Sequence, residues 1–182
     1  MTPLPTPVER EPPRERVRRL EERLGTRGAA LLCAEVLEDD DPHAHAETVR
    51  YLGGDAGRSL LVDGTSWKPY WARVWGARGL LYVWDDDVAP AVLHRLRDEH
   101  WRVAEMCLKV CVRRELPCGD DAARLSAHEL PRVRAAAARA LAVSGDTEHL
   151  DALRALLEDD SADVRRAAAR AWDQLARRLD LQ

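Results

Sequence analysis

A hydrophobic pattern recurs about every 30 residues over the second part of the chain. Valines stand at Val74, Val103, Val133 and Val164, and apolar residues follow each of them at offsets of three, four, seven and eight positions. Only Arg78 interrupts the pattern. Such offsets place side chains on one face of an α-helix. The pattern therefore predicts four α-helices that bury similar apolar faces.

Shorter apolar segments lie between these helices and end at acidic or polar turns. The segments are 88–96, 120–125 and 147–157, and the turns are 98–100, 128–131 and 159–161. Each repeat is therefore predicted to be a helix–turn–helix unit of about 30 residues. No stretch alternates apolar and polar residues as a half-buried strand would. We predict an all-α fold.

The first third of the chain has a less regular pattern. Its spacing predicts helices over 14–24, 29–37 and 46–52, followed by turns over 55–65. Residues 1–13 contain five of the ten prolines, which predicts a disordered arm there. The predicted organisation is a proline-rich arm at 1–13, an irregular helical N-terminal segment at 14–65 that packs on the array, and repeats at 66–182.

Asp159, Val164 and Arg165 have the spacing of a turn aspartate, a helix valine and the arginine that follows it. The segment 156–168, which contains them, resembles a HEAT repeat of the short, phycobilisome-lyase-like kind. The preceding unit has His128 at the aspartate position, and the unit before that has Ala104 at the arginine position. The resemblance covers roughly residues 66–182.

This resemblance implies a right-handed α-solenoid of HEAT-like helical hairpins. The valine–arginine helices would line its concave side, and stacking of the repeats would supply the core that no single repeat can form. Members of the family are mostly interaction scaffolds, so the resemblance also implies a protein-binding role.

Basic residues recur on the helices expected to line the concave side. Lys109, Arg139 and Arg170 share the offset of six positions after the valine, Arg166 has an offset of two, and Arg113 an offset of ten. Stacking in register would align the first three in a column, and guanidinium groups bind carboxylates or phosphates through paired hydrogen bonds. The alternative interpretation is a solvated helix face that is rich in arginine because of codon usage.

Tryptophans provide the second set of candidate contacts. Trp84 is a candidate aromatic anchor for a partner, and Trp67, Trp71 and Trp75 are spaced to share one helix face. They could form an aromatic groove for a side chain or a base. Because the chain contains no phenylalanine, these tryptophans are also candidates for ordinary core packing.

Composition limits the classes of partner. The chain lacks phenylalanine, isoleucine and asparagine and has lysine only at Lys68 and Lys109, which indicates a high-GC bacterial genome. Its net charge is −4, and residues 66–182 carry 19 basic and 19 acidic groups. A balanced array has no overall field to attract polyanions, so nucleic acid is not the expected partner.

Location and cysteine chemistry follow from the same sequence. Neither a membrane-spanning apolar stretch nor the apolar core of a secretory signal is visible, so we expect a cytoplasmic protein. The four cysteines are expected to be reduced and to pack in the core. They are Cys33, Cys107, Cys111 and Cys118.

The predicted function is a non-catalytic scaffold or adaptor that binds a protein partner, which we expect to be acidic. The predicted contact residues are Lys109, Arg113, Arg139, Arg166, Arg170 and Trp84. We expect a monomer without a catalytic residue, cofactor or metal, since no phosphate-binding loop or activated nucleophile is visible. The alternative is a nucleic-acid-binding protein similar to HEAT-like DNA glycosylases, which would use Trp71, Trp75, Trp84 and Asp85.

Overall fold

The computed structural model of the protein describes residues 3–5, 10–62 and 66–180. These residues form α-helices, short 3-10 turns and loops, and no β-strand occurs in these ranges. Contacts along the backbone divide the chain into an N-terminal unit and a C-terminal unit, with the division between Arg95 and Leu96. The all-α class predicted from the sequence is confirmed.

The predicted organisation into arm, N-terminal segment and repeats stays a prediction. The arm at 1–13 falls partly outside the described residues, and so does the end of the predicted turn region at 63–65. None of the helices in the described ranges has both the length and the apolar character that crossing a bilayer requires.

The described residues of the N-terminal unit form five helices. They are α1 (Pro13–Glu38), α2 (Ala46–Gly53), α3 (Asp55–Leu60), α4 (Tyr70–Gly79) and α5 (Ala89–His94). The two helices predicted over 14–24 and 29–37 form the single element α1, which is kinked at Gly25. Gly25 has a φ of +75°, a conformation that side-chain-bearing residues rarely adopt, and it therefore marks the break that the sequence predicted.

Glycines allow the helices of this unit to approach closely. A Cβ atom at Gly76 of α4 would lie only 2.6 Å from the carbonyl oxygen of Cys33 in α1. The prediction of turns over Asp55–Leu60 was wrong, since this segment is helical. Gly57 there faces the Val49 carbonyl without room for a side chain, so it serves helix packing rather than a turn.

The C-terminal unit also has five helices. They are α6 (Trp101–Arg114), α7 (Gly119–Leu125), α8 (Pro131–Ser144), α9 (Leu150–Leu157) and α10 (Ala162–Arg178). Helix α8 packs against both α6 and α10, while α7 packs against α8, and α9 packs against α10. The unit is thus a row of three longer helices with a shorter helix in each connection.

The apolar pattern of the sequence forms the core of the C-terminal unit. Val103, Val133 and Val164 are completely buried. On α8 and α10 the following apolar positions are mainly alanines, whose small side chains allow the two helices to pack closely. These buried alanines are Ala136, Ala137, Ala140, Ala167, Ala168 and Ala171.

Two departures from the predicted apolar face have simple structural reasons. Helix α4 buries Val74 and Ala77 but ends at Gly79, so Tyr82, at an offset of eight, lies beyond the helix and is exposed. The pattern placed Trp172 in the core, but it is only half-buried because that part of α10 faces solvent. The Arg154 guanidinium lies 5.8 Å from the Trp172 ring.

Candidate functional site

A groove of about 780 Å³ lies on the face formed by α6, α8 and α10. Most of the lining residues come from one face of each helix, at offsets of minus one, two and six from the buried valine, and the others are Ala167 at an offset of three and residues at or just before the starts of α8 and α10. The lining residues are Glu105, Lys109, Leu130, Pro131, Arg132, Ala135, Arg139, Ser161, Asp163, Arg166, Ala167 and Arg170. The offsets recur because each helix buries the same apolar face in the core. The adjacent face of each helix therefore lines the groove.

The groove has an excess of three positive charges. Five cationic side chains and two carboxylates are among its lining residues. The carboxylates are those of Glu105 and Asp163. Because the whole chain has a net charge of −4, this positive excess is local to the groove.

The carboxylate of Glu105 is buried at the α6 side of the groove and is paired with two cations. Its oxygens lie 2.8 Å from Nζ of Lys109 and 3.0 Å from a guanidinium nitrogen of Arg132. The Arg132 guanidinium also lies 4.9 Å from the Trp101 ring, which holds it against α6. Glu105 therefore offsets part of the charge of Lys109 and Arg132.

Arg139 and Arg170 differ from these paired cations. Both are exposed, and among the residues that the structure describes neither has a carboxylate partner. Arg139 donates one hydrogen bond, of 3.2 Å, to the carbonyl of Ala135. Arg166 is less available, since it pairs with Asp163 one turn away on α10. Arg139 and Arg170 are consequently the guanidinium groups best able to bind an anion.

A smaller cavity of about 260 Å³ adjoins the groove. Arg139, Ala167 and Arg170 line both spaces. The other residues around the smaller cavity are the aliphatic residues Val112, Ala142, Val143 and Ala171 and the polar residue Gln174. The two arginines therefore stand where a cationic groove meets an apolar pocket.

Comparisons with known proteins agree with this architecture. A family model described as HEAT repeats matches residues 122–178, which include α8, α9 and α10. This part of the chain is therefore similar to HEAT repeats. The resemblance that the sequence predicted is thereby confirmed.

Structural similarity to a repeat protein extends over a larger part of the chain. A designed armadillo repeat protein, solved in complex with the peptide (KR)4, has a TM-score of 0.54 to this chain at 16% sequence identity. The similarity covers 89% of this chain and 86% of the designed protein. It shows the fold alone, and it confirms the predicted α-solenoid class. No curated protein sequence matches this chain.

The groove contains four of the six predicted contact residues. Lys109, Arg139, Arg166 and Arg170 all line it, as their offsets suggested. Arg113 is exposed in the last turn of α6 and is not among the described residues that line either cavity. The binding role of all six stays a prediction.

Sequence reasoning missed Arg132 and Asp163 as groove residues. Glu105 has the same offset as Arg166, while Arg132 and Asp163 directly precede the valines of α8 and α10. The offset of minus one lies three positions from the offset of two, which lies four positions from the offset of six, so the three offsets share one helix face. Extending the column of offset six to this complete face would have found both.

Trp84, the sixth predicted contact, belongs to the N-terminal unit. It is half-buried, and its indole nitrogen donates a 2.8 Å hydrogen bond to the carboxylate of Asp86. Trp67, Trp71 and Trp75 form a cluster with ring centroids 5.4–6.4 Å apart. Trp75 is buried and the other two are half-buried, so this cluster contributes to packing in the N-terminal unit.

One group of side chains in the C-terminal unit has the composition of a metal site. Asp120, Glu148 and His149 place one ligand atom each within 4.8 Å of one another. However, Nδ1 of His149 accepts a hydrogen bond from the backbone N–H of Asp146. A neutral ring then carries its hydrogen on Nε2, which lies 3.1 Å from Asp120 and donates to it instead of offering a lone pair to a cation. The geometry favours a structural hydrogen bond.

All four cysteines are buried and free, which confirms their predicted place in the core. Burial raises the pKa of the Cys33 thiol to about 12. A hydrogen bond from Cys111 lowers the pKa of Cys118, whose sulfur also lies 3.2 Å from the Ser144 hydroxyl. These contacts satisfy the thiols within the protein core.

Proposed function

We propose that this protein is a non-catalytic protein-binding scaffold or adaptor and that the groove on α6, α8 and α10 contacts an acidic region of a protein partner. The observation that carries the proposal is the pair Arg139 and Arg170, two exposed arginines without a carboxylate partner among the described residues, in a groove with a positive excess. We further propose that it acts as a monomer in the bacterial cytoplasm.

The charge of the groove supports an acidic rather than a basic partner. Complementary charge steers association and disfavours partners of like charge. The designed armadillo protein was solved with the basic peptide (KR)4. A basic peptide of that kind would meet like charges at Lys109, Arg139 and Arg170, whereas carboxylates would form charge-assisted hydrogen bonds with them.

The composition of the groove favours protein over nucleic acid. Proteins that bind single strands combine cationic grooves with aromatic side chains on which bases stack. The described lining residues of both cavities are aliphatic, charged or small polar residues and include no aromatic side chain. Trp84 and Arg113 remain predicted contacts within this proposal.

The test compares charge reversal inside and outside the groove. The double variant Arg139→Glu with Arg170→Glu reverses the groove, and Arg50→Glu with Arg177→Glu makes the same change at exposed positions that do not line it. Arg95 is unsuitable as a control because it is half-buried, bonds to the Glu38 carbonyl and pairs with Asp40. Affinity capture from the native host identifies the retained protein, and titration calorimetry with that protein measures affinity.

We expect the groove variant to lose at least about tenfold in affinity and the control variant to keep wild-type affinity. Circular dichroism melting of both variants establishes that they are folded. Equal losses in the two variants, or an unchanged affinity in the groove variant, contradict the proposed surface.

A further inference from the structure

We infer that the groove recognises a specific pair of neighbouring groups in its partner: a carboxylate held by Arg139 and Arg170, and an aliphatic side chain seated in the adjoining pocket. This inference rests on the proposed function and deepens it. It assigns a binding site to the smaller cavity and a sequence preference, acidic next to aliphatic, to the partner.

The first argument is the position of the two arginines. Arg139 on α8 and Arg170 on α10 occupy the same offset on adjacent helices, and both line the groove and the pocket. A carboxylate bound to them would therefore stand at the entrance of the pocket. Because side chains two positions apart lie on the same face of an extended peptide, a group close in sequence to that carboxylate can reach the pocket.

The second argument is the chemistry of the pocket. Val112, Ala142, Val143 and Ala171 offer hydrocarbon surface, and Gln174 forms part of the exposed rim. Cavities of about 150 Å³ already hold a benzene-sized group, while pockets for drug-sized ligands begin at about 300 Å³. The volume of about 260 Å³ therefore suits one leucine, isoleucine or methionine side chain.

The third argument distinguishes this occupant from a phosphate-bearing one. A phosphate could also bind to the two arginines, but a nucleotide has no aliphatic branch to place in the pocket, and its base favours aromatic stacking. The described walls of the pocket contain no aromatic residue. A peptide supplies both a carboxylate and an aliphatic side chain, so it matches the two features together.

The experiment uses the full chain and fluorescein-labelled peptides of equal length at low ionic strength. The probe is Gly-Asp-Asp-Leu-Asp-Asp-Gly, and the comparison peptides replace its leucine by alanine or its aspartates by asparagines. A short oligothymidylate serves as the nucleic-acid probe. Fluorescence anisotropy measures the affinity of each for the wild type and for the variants.

We expect the leucine peptide to bind about tenfold more tightly than the alanine peptide, because the pocket removes its side chain from water. The asparagine peptide and the oligothymidylate should bind more weakly than either acidic peptide. The double variant Arg139→Glu with Arg170→Glu should lose both acidic peptides.

A pocket variant and a matched control test the assignment of the leucine site. Gln174→Trp places an indole at the exposed rim of the pocket and should abolish the preference for the leucine peptide over the alanine peptide. Ala169→Trp adds the same indole at an exposed position of α10 that lines neither cavity, and it should keep the preference.

The outcomes separate this inference from the proposed function. Equal binding of the leucine and alanine peptides, with loss of both in the arginine variant, overturns the acid–aliphatic preference and leaves the acidic groove supported. Absence of binding by both acidic peptides, or their unchanged binding to the arginine variant, overturns both. Tighter binding of the oligothymidylate assigns the groove to nucleic acid and also overturns both.

Discussion

The guanidinium group of Arg134 holds the carboxylate of Asp159 through two hydrogen bonds, of 2.6 and 2.8 Å. Both side chains are largely buried. The same guanidinium donates to the carbonyls of His128 and Glu129 in the turn before its own helix. Asp159 also accepts a hydrogen bond from the backbone N–H of Ser161 at the start of α10. One arginine thus ties the turns of two successive repeats together.

This ion pair predicts a pH-dependent stability. The hydrogen bonds from Arg134 lower the pKa of Asp159 below its ordinary value. A lowered pKa in the folded state means that the stabilisation is fully present above the pKa of the unfolded chain, near 3.8, and is lost as the pH falls through the folded value. Asp159→Asn should lower the free energy of unfolding by about 1–3 kcal/mol at neutral pH.

Urea denaturation at neutral pH and at successively lower pH values below about 4 checks this prediction. The difference between wild type and Asp159→Asn should shrink as the pH falls. Asp160→Asn, a change at the exposed neighbouring carboxylate, is the control and should have little effect. A constant difference at all pH values would show that the loss arises from packing and not from the charge.

Close packing of α8 on α10 predicts intolerance of larger side chains. Ala137 is completely buried on α8, the helix that packs against both α6 and α10. Ala137→Leu should reduce the free energy of unfolding by about 1–3 kcal/mol, since overpacking forces neighbouring helices apart. The exposed Ala169→Leu should change stability by no more than about 0.5 kcal/mol. Urea denaturation measures both, and equal effects would disprove a close helix contact at Ala137.

Neutralising the buried carboxylate of Glu105 should strengthen the binding of acidic peptides. Its charge offsets those of Lys109 and Arg132, so Glu105→Gln leaves the groove with a larger positive excess. We expect a several-fold gain in affinity for the alanine peptide by fluorescence anisotropy at low ionic strength, and a smaller gain as salt is added. Glu115→Gln, at an exposed position outside the groove, is the control. A weaker affinity in Glu105→Gln would indicate that Glu105 acts by positioning the two cations.

The hydrogen bonds of His149 predict a single ring tautomer. Because Nδ1 accepts from the Asp146 backbone and Nε2 faces Asp120, the hydrogen of the neutral ring should reside on Nε2. Nitrogen-15 NMR of the histidine ring checks this assignment. Zinc should leave the melting temperature unchanged. A zinc-induced rise in melting temperature that disappears in His149→Ala would instead establish a metal site at Asp120, Glu148 and His149.

Helix periodicity explains how much of the fold was predictable. Val103, Val133 and Val164 are buried because residues spaced three and four apart share one face of a helix wherever the helix lies. The same rule placed Lys109, Arg139 and Arg170 on equivalent faces of α6, α8 and α10. It failed at Tyr82, since the end of α4 at Gly79 depends on contacts that no periodic pattern encodes.

The sequence by itself determined the helical repeats, their buried faces and the column of basic positions, because these properties depend on spacing within one helix. Only the tertiary structure decided that Arg134 binds Asp159, that Glu105 of α6 pairs with Arg132 of α8, and that Arg139 and Arg170 border an apolar pocket. These relationships join side chains of different helices or turns. Their distances depend on how closely the helices pack, which is a property of the assembled core and not of any single segment.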